Sequence, residues 1–399
     1  DMGGDMPDMG GDMPDMGGDM PDMGGDMPEP PRDDGAMDAT NEAMEMFDSG
    51  GGFGEMAEDA VFDMANDMGS QGFQDLGGEG TLDMIESMGD SFMEMEGDQM
   101  AATMDPSFMV EAAGMMSFED LKGMDGDSAL GMFEAMGSEM TMASLEGDQL
   151  AGMFAAMEGD QLASLSGEGL VDAFANMGAD NAASMGGENL AEMLGAMGGE
   201  GLGQLDPTAL EDAAKAMDGD NMLQLGADAA LGMFETLGAE NAAATFTGDQ
   251  LGGIFGALDP TDIGTTIAPE VLLESTEKMT IEHFANVGGE QAGAMFEALG
   301  SDQVLELGGE QVAGMFSAMH GEQLSDLGGA TVAEAIIAMG TENAVDMGAG
   351  NIAEVVEALG IADMATVGGD VLVDLAGAMT GEALAGMSSD AVGAMVDTM

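Results

Sequence analysis

The stretch Gly308-Gly309-Glu310-Gln311-Val312-Ala313-Gly314-Met315-Phe316-Ser317-Ala318-Met319, continued by His320-Gly321-Glu322-Gln323-Leu324-Ser325-Asp326-Leu327, contains the plan of the chain. In the first twelve residues Val312, Met315, Phe316 and Met319 fall at i, i+3, i+4 and i+7, which lines them along one face of an α-helix. In the following eight, Leu324 and Leu327 stand one turn apart. The spacing predicts a longer helix followed by a shorter one.

This twenty-residue unit recurs. A large apolar residue closes the longer half at Met157, Met177, Met197, Met217 and Leu237, then, after two one-residue slips, at Leu258, Met279, Leu299, Met319, Met339, Leu359, Met379 and Met399. The phase extends upstream through Met136, Met116, Met88 and Met68, and the 28 residues between Met88 and Met116 predict an extra short half with a kink near 89–104. Fixed self-similarity of this length predicts an all-α solenoid, each unit burying its apolar face against its neighbours. A single unit buries about five large side chains at ~1.5–3 kcal/mol each, while ordering its residues costs ~1.5 kcal/mol apiece, so a lone copy is unfolded.

Boundaries are marked chemically. Asp206-Pro207-Thr208 and Asp259-Pro260-Thr261 occupy slots where other copies carry Gly-Gly-Glu, which makes the first slot an N-cap and the second the first helical residue. A Gly in the first slot also follows the preceding helix, where a left-handed conformation is expected. Acids such as Glu188, Asp220, Glu290 and Glu310 fall in first turns, where the helix dipole stabilises a carboxylate by ~0.3–1 kcal/mol. Residues 1–35 differ in kind: they open with four copies of Asp-Met-Gly-Gly-Asp-Met-Pro, whose Gly pairs and recurrent Pro predict a disordered low-complexity tail. Residues 36–56 read as an irregular helix and Gly-rich linker, and 57–399 as the array.

The charge balance narrows the function classes. Lys+Arg number 4 against Asp+Glu 79, a formal charge of −75, and the basic residues are Arg32, Lys122, Lys215 and Lys278. Such a surface repels nucleic-acid phosphate and anionic headgroups and attracts cations and basic proteins. With no Cys, thiolate sites and disulfides are absent. No apolar run approaches the ~18 residues of a membrane helix. His283 and His320 lack a second His at ligand spacing, and His320 falls in an N-cap slot. No nucleophile elbow or phosphate loop occurs, so the pattern offers no catalytic or cofactor-binding residues and predicts a chain that is not an enzyme.

Two metal readings remain. The carboxylates Asp160, Glu188, Asp220, Glu290, Glu310 and Glu322, with copies displaced by ~10 Å per repeat, would form a ladder suited to weak multisite Ca²⁺ or Mg²⁺ binding. The plainer reading of the same acids is a solvated face that keeps the chain soluble in a saline environment. In the tail, Met2, Met6, Met9, Met13, Met16 and Met20 alternate three and four apart, a thioether spacing that suits Cu(I), although drift of a duplicated linker is the plainer explanation of the same pattern.

The segments Leu205-Asp206-Pro207-Thr208-Ala209-Leu210 and Leu258-Asp259-Pro260-Thr261-Asp262-Ile263 resemble the Leu-Asp-Pro-x-x-apolar units in the superhelical N-terminal domain of MgtE-type magnesium transporters, and the middle domain of the flagellar motor switch protein FliG is similar in style. The resemblance implies a right-handed stack of short helices and, on the transporter side, an acidic cytoplasmic sensor of Mg²⁺. The expectation is a non-enzymatic acidic scaffold, extracellular or at the cell surface, or in the cytoplasm of a salt-adapted organism. Its partners would be basic proteins or cations. The alternatives are a Ca²⁺/Mg²⁺ or Cu(I) binder and a sensor-domain fragment of a magnesium transporter.

Overall fold

A computed structural model describes residues 34–48, 53, 56, 58–93 and 106–399. Among these every regular element is helical. Longer and shorter helices alternate as the repeat predicts: Gly147–Ala156 and Gly159–Ser164, Gly167–Met177 and Ala179–Ser184, Gly309–Ala318 and Gly321–Leu327. Helices that run on, such as Gly187–Leu202 and Ala349–Val367, are two such halves bent at Gly198 and Gly360. Three copies absorb an extra residue in the short half, which becomes the seven-residue Ser138–Ser144, Ala239–Thr245 and Pro260–Thr266 in place of six in Gly159–Ser164.

What joins the halves depends on one residue. Where Gly follows the apolar residue that closes the longer half, that residue stays helical and Gly takes the whole bend, as at Gly178 (φ 77°, ψ 154°) and Gly340 (φ 73°, ψ 160°). This is not the left-handed helical conformation expected from the sequence. The ψ is extended because the same residue is the N-cap of the next helix, and only Gly combines that ψ with positive φ at low cost. Where Glu, Asp, Thr or His follows instead, the apolar residue itself unwinds and two extended residues share the bend, as at Met157 (φ −79°, ψ 142°) and Glu158 (φ −85°, ψ 163°). The Asp-Pro segments behave as read: Asp206 accepts from the N–H groups of Thr208 (2.9 Å) and Ala209 (3.2 Å), and Asp259 from that of Thr261 (2.8 Å).

Junctions of one or two residues bend the chain but do not fold it back, since an antiparallel helix hairpin uses a loop of roughly two to five residues. The chain therefore comes back over itself after three helices. Short helix Gly219–Gln224 packs on long helix Gly248–Ala257, which packs in turn on the 3-10 turn His283–Asn286, and that on Gly309–Ala318, each three half-repeats further along, the helix Gly289–Val304, bent at Gly300, counting as two. The same step holds from Phe118–Lys122 against Gly147–Ala156 to Gly321–Leu327 against the helix beginning at Ala349. One turn thus takes one and a half sequence repeats. This corrects the expected ladder, in which each repeat is one layer: layers here are turns, and consecutive copies of a residue lie on different sides of the stack. The contact pattern, always among elements near in sequence, is consistent with an α-solenoid.

The core is built from the apolar faces that these packed helices bury against one another. Val312, Met315, Phe316 and Met319 are all 0% exposed, and the closing residues Met157, Met177, Met197, Met217, Leu237, Leu258, Met279, Leu299, Met319, Met339, Leu359 and Met379 are buried. Phe rings of successive longer halves meet edge to face, with centroids 5.4 Å apart for Phe133 and Phe154 and 5.9 Å for Phe296 and Phe316. Gly195 allows the backbone of its helix to approach the Leu225 carbonyl, where a Cβ would come to 3.1 Å.

At the N-terminal end, helix Asp34–Asp48 packs on Glu58–Met93, Phe53 is buried, and its N–H donates to Asp83 Oδ2 at 2.9 Å. The helix expected within 36–56 is thus present, and Phe53, in the part expected as linker, adds a buried ring to the packing. The tail methionines Met2, Met6, Met9, Met13, Met16 and Met20 lie outside the described residues, as do 94–104 of the expected kink.

Candidate functional surface

The candidate acids sit where the dipole argument put them, in the first turns of their helices, and all six are exposed. The winding decides which of them meet. Asp160 and Glu188 line one open cleft of about 560 Å³ between successive turns, together with Glu158 and Glu192. Glu290 and Glu322 line another of about 540 Å³, together with Glu297 and Asp326. Asp220 and Glu310 line neither; Asp220 Oδ1 accepts from Asn286 Nδ2 at 3.4 Å. Among the described residues no group of three or more His, Cys, Asp or Glu is arranged to hold a metal ion. The carboxylates pool negative potential without forming a coordination shell.

The strain of that pooling is visible at Glu192. Partial burial, then the neighbouring charges of Glu188, Glu158 and Asp160, push its carboxyl above the ordinary value of 4.5. A cation in the cleft would offset the repulsion from those neighbouring carboxylates.

Other acids in the same first-turn slot have a structural task. Asp228 Oδ2 accepts from Gly199 N–H at 2.7 Å and Asp249 Oδ2 from Gly219 N–H at 2.7 Å, so each carboxylate satisfies the start of a short helix one turn below. Sequence reading missed this. It also missed the amide one residue further on. Gln250 Oε1 accepts from its own N-cap, Thr247 N–H (3.0 Å), while its Nε2 donates to the Ala214 (3.1 Å) and Met217 (2.8 Å) carbonyls at the end of an earlier helix. Gln149 does the same with Glu146 N–H, Gly114 O and Met116 O, and Gln291, Gln311 and Asn189 reach carbonyls 32 to 34 residues back. The signal was present as Gln or Asn recurring two residues after the first helical Gly, but its partners are remote in sequence.

The described lysines are occupied. Lys278 Nζ donates to the Ala243 and Ala244 carbonyls, ending helix Ala239–Thr245. Lys215 pairs with Glu211 (3.0 Å) and Asp212 (2.8 Å), and the hydrogen bond from Lys215, then that from Asn241, holds the Glu211 carboxyl below its ordinary value. Lys122 lies over the Phe118 ring, 5.4 Å from its centroid. His320 is an exposed N-cap as expected, 3.8 Å from Glu354. His283 Nδ1 accepts from Thr280 N–H at 3.0 Å.

Among the described residues no helix is long and apolar enough to cross a membrane. No known family model matches the chain, and no curated protein matches it.

Proposed function

We propose that the chain is a non-enzymatic acidic repeat scaffold whose grooves receive cationic partners. The observation that carries this reading is the gathering of Glu158, Asp160, Glu188 and Glu192, and of Glu290, Glu297, Glu322 and Asp326, in clefts between turns, while the described lysines are taken up internally. Pooled carboxylates raise local cation concentration and steer association, an effect that salt weakens. Fluorescently labelled poly-lysine supplies the probe. Its binding is expected to weaken steeply with salt, and to weaken several-fold when E158Q, D160N, E188Q and E192Q are combined. A salt-independent affinity, or one indifferent to the four substitutions, overturns the reading.

A second reading rests on the raised Glu192 carboxyl: hard divalent cations relieve carboxylate crowding, so Ca²⁺ or Mg²⁺ would occupy the same clefts weakly and diffusely. The resemblance to the Mg²⁺-sensing domain points the same way. Titration of Mg²⁺ at constant ionic strength separates it from simple screening, because specific occupancy raises the melting temperature beyond the matched sodium control. Extreme acidity suits a surface-exposed or extracellular setting or a salt-rich cytoplasm, where screening is available.

A further inference from the structure

We propose that the groove between the segment 341–346 and helix Gly369–Ala378 docks a cationic amphipathic segment of another protein; this rests on, and sharpens, the acidic-scaffold reading. Two valines carry the inference. Val345 and Val373, on successive turns, line one groove and are 43% and 50% exposed. Among the described residues most large apolar side chains are buried; the other exposed ones, Met140, Leu223, Ile337, Ile361, Val396 and Met399, do not line this groove, and neither carboxylate cleft described above includes an exposed large apolar residue. Around the valines stand Glu342, Asp346 and Asp374. The groove therefore offers an apolar floor with a carboxylate rim.

Charge selects the occupant. A second copy would bring −75 to meet −75, so self-association through this face is opposed at every approach. The described lysines are held elsewhere in the fold, which leaves no described internal cation to fill the rim. The complementary ligand has two aliphatic side chains one helical turn apart to cover Val345 and Val373, with Lys or Arg on either side to meet the acids.

Two labelled synthetic peptides of equal length and positive charge test this on the full chain. One is a Lys/Leu helix former with leucines at i and i+4, and the other replaces both leucines by Gln. The apolar peptide is expected to bind about tenfold more tightly, the effect of burying two aliphatic contacts. Combining V345S with V373S should bring the two peptides within about twofold of each other while leaving the Gln peptide unchanged, since only the apolar floor is removed. Both positions are solvent-exposed, so helix content by circular dichroism is expected to be retained. Equal binding of the two peptides to the native chain, or a preference that survives the double substitution, overturns the inference but leaves the scaffold reading standing. If neither peptide binds, both fall together.

Discussion

Gly178 and Gly393 are both glycines in helical surroundings, yet their replacement should have opposite effects. Gly178 holds φ at 77°, a conformation L side chains rarely adopt, so Gly178→Ala is expected to destabilise by ~1–2 kcal/mol. Gly393 lies inside helix Ser389–Thr398 with open space where a Cβ would go, so Gly393→Ala should stabilise by ~0.5–1 kcal/mol. Urea midpoints of the two variants check the pair, and a common sign would refute the junction rule. Gln250 offers a sharper case. Its amide is 7% exposed and joins its own N-cap to carbonyls of an earlier turn, so Gln250→Glu removes two donors and puts a carboxylate against oxygen atoms. A loss of ~2–4 kcal/mol is expected from the unpaired buried groups, exceeding by a wide margin in the same denaturation assay that of Gln204→Glu, whose side chain is exposed.

Helices of six to eleven residues, as in Gly159–Ser164 and Gly167–Met177, are too short to persist alone in water, where ~12–15 residues are marginal even for favourable sequences. Their existence depends on caps and on the turns above and below. Asp206→Ala deletes a carboxylate that accepts two backbone N–H groups and should cost ~0.5–2 kcal/mol. Because helix Pro207–Ala214 packs on Ala179–Ser184 and Ala227–Leu237, that loss should spread: hydrogen exchange is expected to accelerate in those two helices as well. Confinement of the faster exchange to 207–214 would argue against coupling through stacked turns. The two halves of each helix pair were legible in the sequence because Val312, Met315, Phe316 and Met319 repeat at helical spacing and Gly or Asp-Pro punctuates them. The cross-turn bonds of Asp228 and Gln250 were not, since nothing in a local pattern names a partner some thirty residues away.

With a formal charge of −75 on the chain, acidity should govern stability. Glu192 has its folded carboxyl raised, so the fold prefers its protonated form and gains stability as pH falls from neutral through that value towards 4.5. Glu211 has its folded carboxyl lowered, so its contribution is present above 4.5 and is lost as pH falls further through its folded value. General repulsion among carboxylates adds to the Glu192 direction. The melting temperature is therefore expected to rise on acidification from pH 7 to about 5, and to rise with salt at pH 7, with the salt effect shrinking as the acids protonate. A stability maximum at neutral pH and low salt would contradict this.

The sequence was enough to specify helices, their alternating lengths, their caps and their buried faces, because each of these follows from interactions within a dozen residues: 3.6-residue periodicity, the preferences of Asp, Pro and Gly at helix ends, and the need to hide Met and Phe. It could not specify how many helices make a turn. That number comes from the bend at junctions such as Gly178 and Met157-Glu158, and three helices per turn sets one and a half repeats against one layer. This is why Asp160 meets Glu188, and Glu290 meets Glu322, while Asp220 and Glu310 meet neither pair. Residues at equal positions in the repeat are chemically alike, but the packing of the helices gives them different neighbours.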